Sequence, residues 1–187
     1  MASERVQAPG RSIVLVGLMG AGKSSVGRRV ATRLGLPFFD ADAEIEAAAG
    51  CSISDLFARY GEAAFRTGER RVMRRLLDGP RAVIATGGGA FVDPETRALI
   101  SQRGISVWLR ADIEVLYKRV IGRDHRPLLK EGDPRAILAG LMDKRHPIYA
   151  EADLVVESLD QPTDLTVHAV LQALAAYSPG DRVIQEA

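Results

Sequence analysis

The chain contains a single cysteine, Cys51. No internal disulfide can form, and such sparing use of cysteine suits a reducing compartment. No apolar run comes near the ~18–20 residues that would cross a bilayer. Met1 to Arg11 is polar and lacks an apolar signal core, which argues against secretion and for a cytoplasmic protein. Neither sign of charge dominates: 25 Lys and Arg face 24 Asp and Glu, for a net charge of +1. No global basic field therefore invites nucleic acid. Only four of those 25 cations are lysines, a composition bias that says little about partners. His125, His146 and His168 have no metal-ligand spacing. The chain also lacks the N-K-x-D element by which a GTPase-like switch reads guanine, and it shows no internal repeat or low-complexity tract.

What is present is ordinary globular material: 187 residues, 47% hydrophobic and 26% charged, enough for one domain with a real core. The most informative segment is Gly17-Leu18-Met19-Gly20-Ala21-Gly22-Lys23-Ser24, a full match to the phosphate-binding loop G-x-x-x-x-G-K-S/T. An apolar strand candidate, 12–16, precedes it; Val26, Val30 and Leu34 follow at helical spacing. Strand, glycine loop and helix form the context this motif requires. Backbone N–H groups of Gly20, Ala21, Gly22 and Ser25 would turn toward phosphate at a helix N-terminus. Lys23 would reach the β- and γ-phosphates, and the Ser24 hydroxyl would hold Mg²⁺. The loop implies a nucleoside triphosphate.

Strand candidates recur at 37–40, 82–85, 106–109 and 154–156, separated by helical segments, which predicts an α/β fold around a parallel sheet. The stretch 42–77 is too long for one crossover helix. It reads as three helices, 42–49, 52–60 and 62–77, punctuated by Gly50 and Gly61. An insertion of that size, about 41–78, is well placed to bind a second substrate. Helices 94–103, 112–120, 134–149 and 163–177 complete the domain, with Pro94 and Pro134 in favoured first-turn positions. The polar stretch 122–133 reads as a mobile lid, since closing a phosphoryl-transfer site keeps water from hydrolysing ATP. Flexible ends are expected at 1–11 and 178–187, leaving a single domain over 12–177.

Phosphoryl transfer asks for positioning and charge neutralisation, so an acceptor site must lie near the loop. Asp40 and Asp42 follow the strand Pro37-Phe38-Phe39 and share one face in extended backbone. One could support Mg²⁺ and the other could hold substrate hydroxyls. Alternatively, Asp42 caps the next helix. Arg66 and Glu69 lie i, i+3 on one helix face, which reads equally as a binding group or as a solvated ion pair. Gly87-Gly88-Gly89 after the strand 82–85 suggests that something approaches the main chain closely. No aspartate ends that strand, so Asp40 is the natural replacement for the usual metal-holding carboxylate. Arg119, Arg123 and Arg126 cluster at the lid, and Arg145 follows on the next helix. In a chain this rich in arginine, each alone is more readily surface.

Together these motifs resemble the shikimate kinase family, over about 12–177. The resemblance rests on the phosphate loop, Phe39-Asp40-Ala41-Asp42 with Ile45-Glu46, Phe65-Arg66-x-x-Glu69, Gly87-Gly88-Gly89, Arg126-Pro127-Leu128-Leu129 and Arg145-x-Pro147-x-Tyr149. It implies a three-layer P-loop kinase fold with a five-stranded parallel sheet in the order 2-3-1-4-5, a helical substrate-binding insertion and a lid. It also implies transfer of the ATP γ-phosphate to the 3-hydroxyl of shikimate, with Mg²⁺. Asp42 would hold the ring hydroxyls and serve as base. Arg66 and Arg145 would bind the carboxylate. Gly87, Gly88 and Gly89 would meet the substrate through backbone, and Asp40 would join Ser24 in the metal shell. Arg126 would meet the transferring phosphate and Arg119 the adenine. Two departures stand out: Ser25 replaces the usual threonine, and Ser158-Leu159-Asp160-Gln161-Pro162 lacks an arginine that some members carry there. The rival readings are gluconate kinase or another small-molecule kinase of this fold, a nucleotide switch, and a catalytically dead relative. A monomer with small-molecule partners, touching neither nucleic acid nor membrane, is expected.

Overall fold

A computed structural model describes residues 10–121 and 132–177. The chain order is β1 (Ser12–Val16), α1 (Lys23–Leu34), β2 (Phe38–Asp40), α2 (Ala41–Ala49), α3 (Ile53–Asp78), β3 (Val83–Ala85), α4 (Pro94–Arg103), β4 (Gly104–Arg110), α5 (Ile113–Val120), α6 (Pro134–Tyr149), β5 (Leu154–Glu157) and α7 (Thr163–Ala176). The strands form one parallel sheet in the order β2-β3-β1-β4-β5. This is the order that the resemblance implies.

Successive side chains of a strand point to opposite faces, yet all five residues of β1 are buried. Both sides of the central strand are therefore covered, as a parallel sheet with crossover helices demands. α1 packs with α7, and α3 with α4, which also contacts β4. Ile13, Leu15, Ile84, Val107 and Leu109 form the apolar centre. The phosphate loop leaves the C-terminal end of β1. The ends of β2 and β3 lie in order beside it, with Leu15 paired to Ala85 and Ala85 to Asp40. Ligands of open α/β sheets bind at this carboxyl edge.

One local feature departs from the sequence reading. The strand β2 stops at Asp40 and helix α2 starts at Ala41, so Asp40 and Asp42 do not share an extended face. Asp40, not Asp42, is the N-cap: its carboxylate accepts the Asp42 N–H at 3.2 Å. The physical reason is that the cap side chain must reach an unpaired N–H of the first turn, and Asp42 already lies inside the helix. The helices expected at 52–60 and 62–77 together make up α3, which is kinked at Gly61 (φ 77°, ψ 177°), where the sequence places the break. Ser52 caps α3, its hydroxyl accepting the Asp55 N–H at 3.1 Å. No helix among the described residues is long and apolar enough to cross a membrane.

Candidate active site

The phosphate loop opens α1 with Gly20 and Gly22 at φ 84° and 93°, a region side chains with a Cβ rarely enter. That conformation frees the N–H groups of the first turn, and no side chain caps the helix. An anion is the natural partner for such an end. Lys23 folds back across the loop, its Nζ donating to the carbonyls of Gly17 and Leu18 at 2.8 Å each. Ser24 Oγ donates to Asp40 Oδ2 at 2.6 Å. The residue after the loop lysine and the last residue of β2 therefore present two oxygens side by side. A hydroxyl and a carboxylate of this kind suit a hard divalent cation, which takes oxygen ligands. Asp40 fits the metal-supporting place that β3 leaves without an acid.

Asp42 lies one residue into α2, half-buried in the same cavity. Burial raises its carboxyl above the ordinary range; the Asp40 charge adds to this, and Lys23 opposes it. A cavity of about 580 Å³ joins the loop to the acidic pair and the glycine turn, with Ser24, Asp40, Asp42, Gly87, Gly88 and Arg119 among its walls.

The triple glycine explains itself once side chains are placed. A Cβ on Gly87 would sit 2.6 Å from Asp42 Oδ1, one on Gly88 3.2 Å from Arg145 Nη1, and one on Gly89 2.7 Å from Arg66 Nη1. Each glycine clears room for one polar group from another element. The close approach read from the sequence is thus made by the chain's own side chains as well as being open to a ligand. Arg145 Nη1 donates to the Gly88 carbonyl at 3.1 Å, and the buried Tyr149 hydroxyl donates to the same oxygen. Arg66 donates to Glu69 at 2.8 Å and to Glu62 at 3.2 Å.

Arg66 and Glu69 are therefore not a solvated pair. Glu69 is only 2% exposed. Burial pushes its carboxyl up while Arg66 pulls it down, and we read the contact as an ion pair whose carboxylate depends on that arginine. The signal was in the sequence: Glu69 falls on the apolar stripe of Phe65, Val72, Met73 and Leu76, where a charge needs a partner. Ser158 carried no such signal. It is buried, donates to the Ala21 carbonyl at 2.9 Å, and accepts from Arg119 at 2.9 Å. Arg119 also donates to Gly20 and Leu159 carbonyls. The short loop after β5 is thereby tied to the phosphate loop without an arginine of its own. Asp40, Asp42, Arg66, Arg145, Gly87–Gly89 and the phosphate loop converge, and Arg119 borders the same cavity. Arg126, nearly all of the expected lid, and most of the expected flexible ends lie outside the described residues.

A phosphate loop at the carboxyl edge of a 2-3-1-4-5 sheet, facing an acidic and arginine-lined cavity, defines a P-loop kinase of small molecules. The shikimate kinase family model matches residues 19–175. The chain is 68% identical to the shikimate kinase of Paramagnetospirillum magneticum over 168 residues, covering 90% of this chain and 86% of the relative. A solved shikimate kinase of Acinetobacter baumannii, in complex with shikimate, superposes with a TM-score of 0.83 at 39% identity, covering 87% of this chain and 91% of that one. The chain belongs to the shikimate kinase family. A gluconokinase from Sinorhizobium meliloti shares only 22% identity at a TM-score of 0.58 over 88% of this chain and 91% of that one, a likeness of fold alone.

Proposed function

We propose that the chain transfers the γ-phosphate of ATP to the 3-hydroxyl of shikimate, giving shikimate 3-phosphate and ADP on the route to aromatic amino acids. The observation that carries this reading is the glycine floor. Three consecutive glycines seat Asp42, Arg145 and Arg66 side by side, next to the phosphate loop. A ring acid with several hydroxyls needs such a set: guanidinium groups for its carboxylate and a carboxylate for its hydroxyls. Arg66 and Arg145 bind the carboxylate, each charge-assisted bond contributing ~1.5–3 kcal/mol. Gly87, Gly88 and Gly89 let the acceptor lie against backbone.

Asp42 orients the acceptor hydroxyl and takes its proton. Its raised carboxyl suits that work, because a base closer to the working pH is the more effective one. The N–H groups of Gly20, Ala21, Gly22, Lys23, Ser24 and Ser25 cradle the phosphates while Lys23 turns from its carbonyl partners to the β- and γ-oxygens. Ser24 and Asp40 would hold Mg²⁺, which would supply positive charge to offset that of the phosphates. Arg119 flanks the adenine side, and Arg126, with the lid at about 122–133, supplies charge to the moving phosphoryl group. The chain works as a monomeric domain over 12–177, with its substrate insertion at about 41–78, in the cytoplasm, without nucleic acid or membrane. A coupled ADP-release assay with shikimate, gluconate and nucleoside monophosphates tests the reading. Turnover that depends on shikimate is expected; turnover with gluconate alone would replace it with the sugar-acid kinase.

A further inference from the structure

The guanidinium of Arg66 has to stand at a set height above Gly89, yet helix and turn come from different parts of the chain. One turn beyond Arg66 on α3, Arg70 grips Asp93 at the start of α4. Its Nε donates to Oδ2 at 3.0 Å and its Nη2 to Oδ1 at 2.7 Å, while Nη1 stands 2.8 Å from Glu95. Asp93 is in turn built into the floor. Its Oδ2 accepts the Thr96 N–H at 2.9 Å and the Thr96 hydroxyl at 2.8 Å. The N–H groups of Val92 and Asp93 return to the Gly89 carbonyl at 3.1 and 3.4 Å. A four-residue step is thus used twice: 66 and 70 on the helix meet 89 and 93 on the turn.

Exposed ion pairs contribute little. This one is bidentate, and the Asp93 side chain is only 8% exposed. The Arg70 and Thr96 bonds hold that carboxyl down at about 2, so it stays charged at any working pH. We propose that Arg70 and Asp93 are positioning residues that set Arg66 over the glycine floor, and so tune affinity for the acceptor's carboxylate without touching the acceptor. The inference rests on the reading of Arg66 as part of the shikimate clamp. Displacing a positioned group by ~1 Å can cost as much as ~10²-fold, so the effect is large enough to measure.

The test is steady-state kinetics on the full chain with shikimate and ATP. Arg70→Met and Asp93→Asn are each expected to raise the shikimate KM about 10-fold, leaving kcat and the ATP KM within about twofold. Asparagine remains a good helix cap, so Asp93→Asn removes the charge without undoing α4, and it decides the matter if Arg70→Met does not fold. Arg70→Lys, which keeps charge but loses the fork, should fall between. Arg103→Met serves as the control, because Arg103 and Asp78 join the same two helices at their far ends. Its kinetic constants should match those of the unaltered chain. A shikimate KM within twofold of that chain in Asp93→Asn, or an equal rise in the ATP KM, would overturn the proposal. Absence of shikimate-dependent turnover in the unaltered chain would overturn the functional reading beneath it.

Discussion

Ser24 Oγ donates to Asp40 Oδ2 across 2.6 Å, joining the first turn of α1 to the last residue of β2. The same carboxylate caps α2 through the Asp42 N–H. Asp40 therefore ties the phosphate loop to the helix that carries Asp42, and it does so through both of its carboxylate oxygens.

Asp40→Asn separates those two duties. Asparagine caps about as well as aspartate, so the melting temperature should change little. Losing the charge should weaken cation use, seen as a higher Mg²⁺ concentration for half-maximal rate and turnover lower by about two orders of magnitude, the scale of general polar contributions in such sites. An unchanged Mg²⁺ titration would remove Asp40 from the metal shell.

Asp42→Asn should trade activity for stability. Because the folded carboxyl is raised by burial and by Asp40, the folded state binds more protons than the unfolded one between the ordinary value and the raised one. Stability from this group thus falls as pH rises through that window, and ionised Asp42 weighs against the fold at neutral pH. The neutral variant should melt at the same or a higher temperature at pH 7, with the difference vanishing in acid. Its turnover should drop roughly 10²–10⁴-fold. In the unaltered chain, kcat/KM should fall as pH is lowered through the raised carboxyl. A variant that melts earlier at pH 7 would contradict the electrostatic account.

Arg66→Ala should harm binding and folding together, and a second change separates them. The alanine leaves Glu69 buried without its main partner, a loss of about 3–5 kcal/mol. Arg66→Ala combined with Glu69→Gln should recover most of that stability in urea titrations. Neither variant should recover shikimate affinity, while the ATP KM should stay within a few-fold. Arg145→Ala should weaken shikimate binding with a smaller loss of stability, since its guanidinium meets a carbonyl and not a buried acid.

Gly89→Ala tests the floor directly. Gly89 is not in the left-handed region, so alanine strains no backbone there. Its methyl would stand 2.7 Å from Arg66 Nη1 and must push the guanidinium aside. A shikimate KM raised about 10-fold with kcat and melting temperature nearly unchanged is the expected result. An unaltered KM would show that the clamp tolerates displacement.

Much of the fold was legible because its signals are local. Apolar runs, the glycine loop, Pro94 and Pro134 at first turns, and Gly61 inside the long helix all lie within a few residues of what they specify. Pro94–Arg103 and Pro134–Tyr149 run as their sequence signals predict. Register with neighbours is less local. Strand β4 begins two residues before the expected 106, because Gly104 pairs with Ser12 across the sheet. The capping role moved from Asp42 to Asp40 for a related reason: a shift of a residue or two at a strand end decides which carboxylate reaches an N–H.

By itself the sequence determined that Gly17–Ser24 carries the phosphate-loop pattern, that the sheet is parallel, and which residue types were available for an acceptor site. Those follow from short-range chemistry: backbone freedom at glycine, apolar periodicity, and a lysine and hydroxyl at set spacing. Only the tertiary structure decided that Arg66 is paired with a buried acid, that Ser158 latches the loop after β5, and that three glycines seat three polar side chains. The glycine and Ser158 contacts join residues 23 to 137 positions apart, as with Arg66 and Gly89 or Ala21 and Ser158. They exist because the layers pack, and burial in that packing makes each unpaired polar group too costly to leave alone.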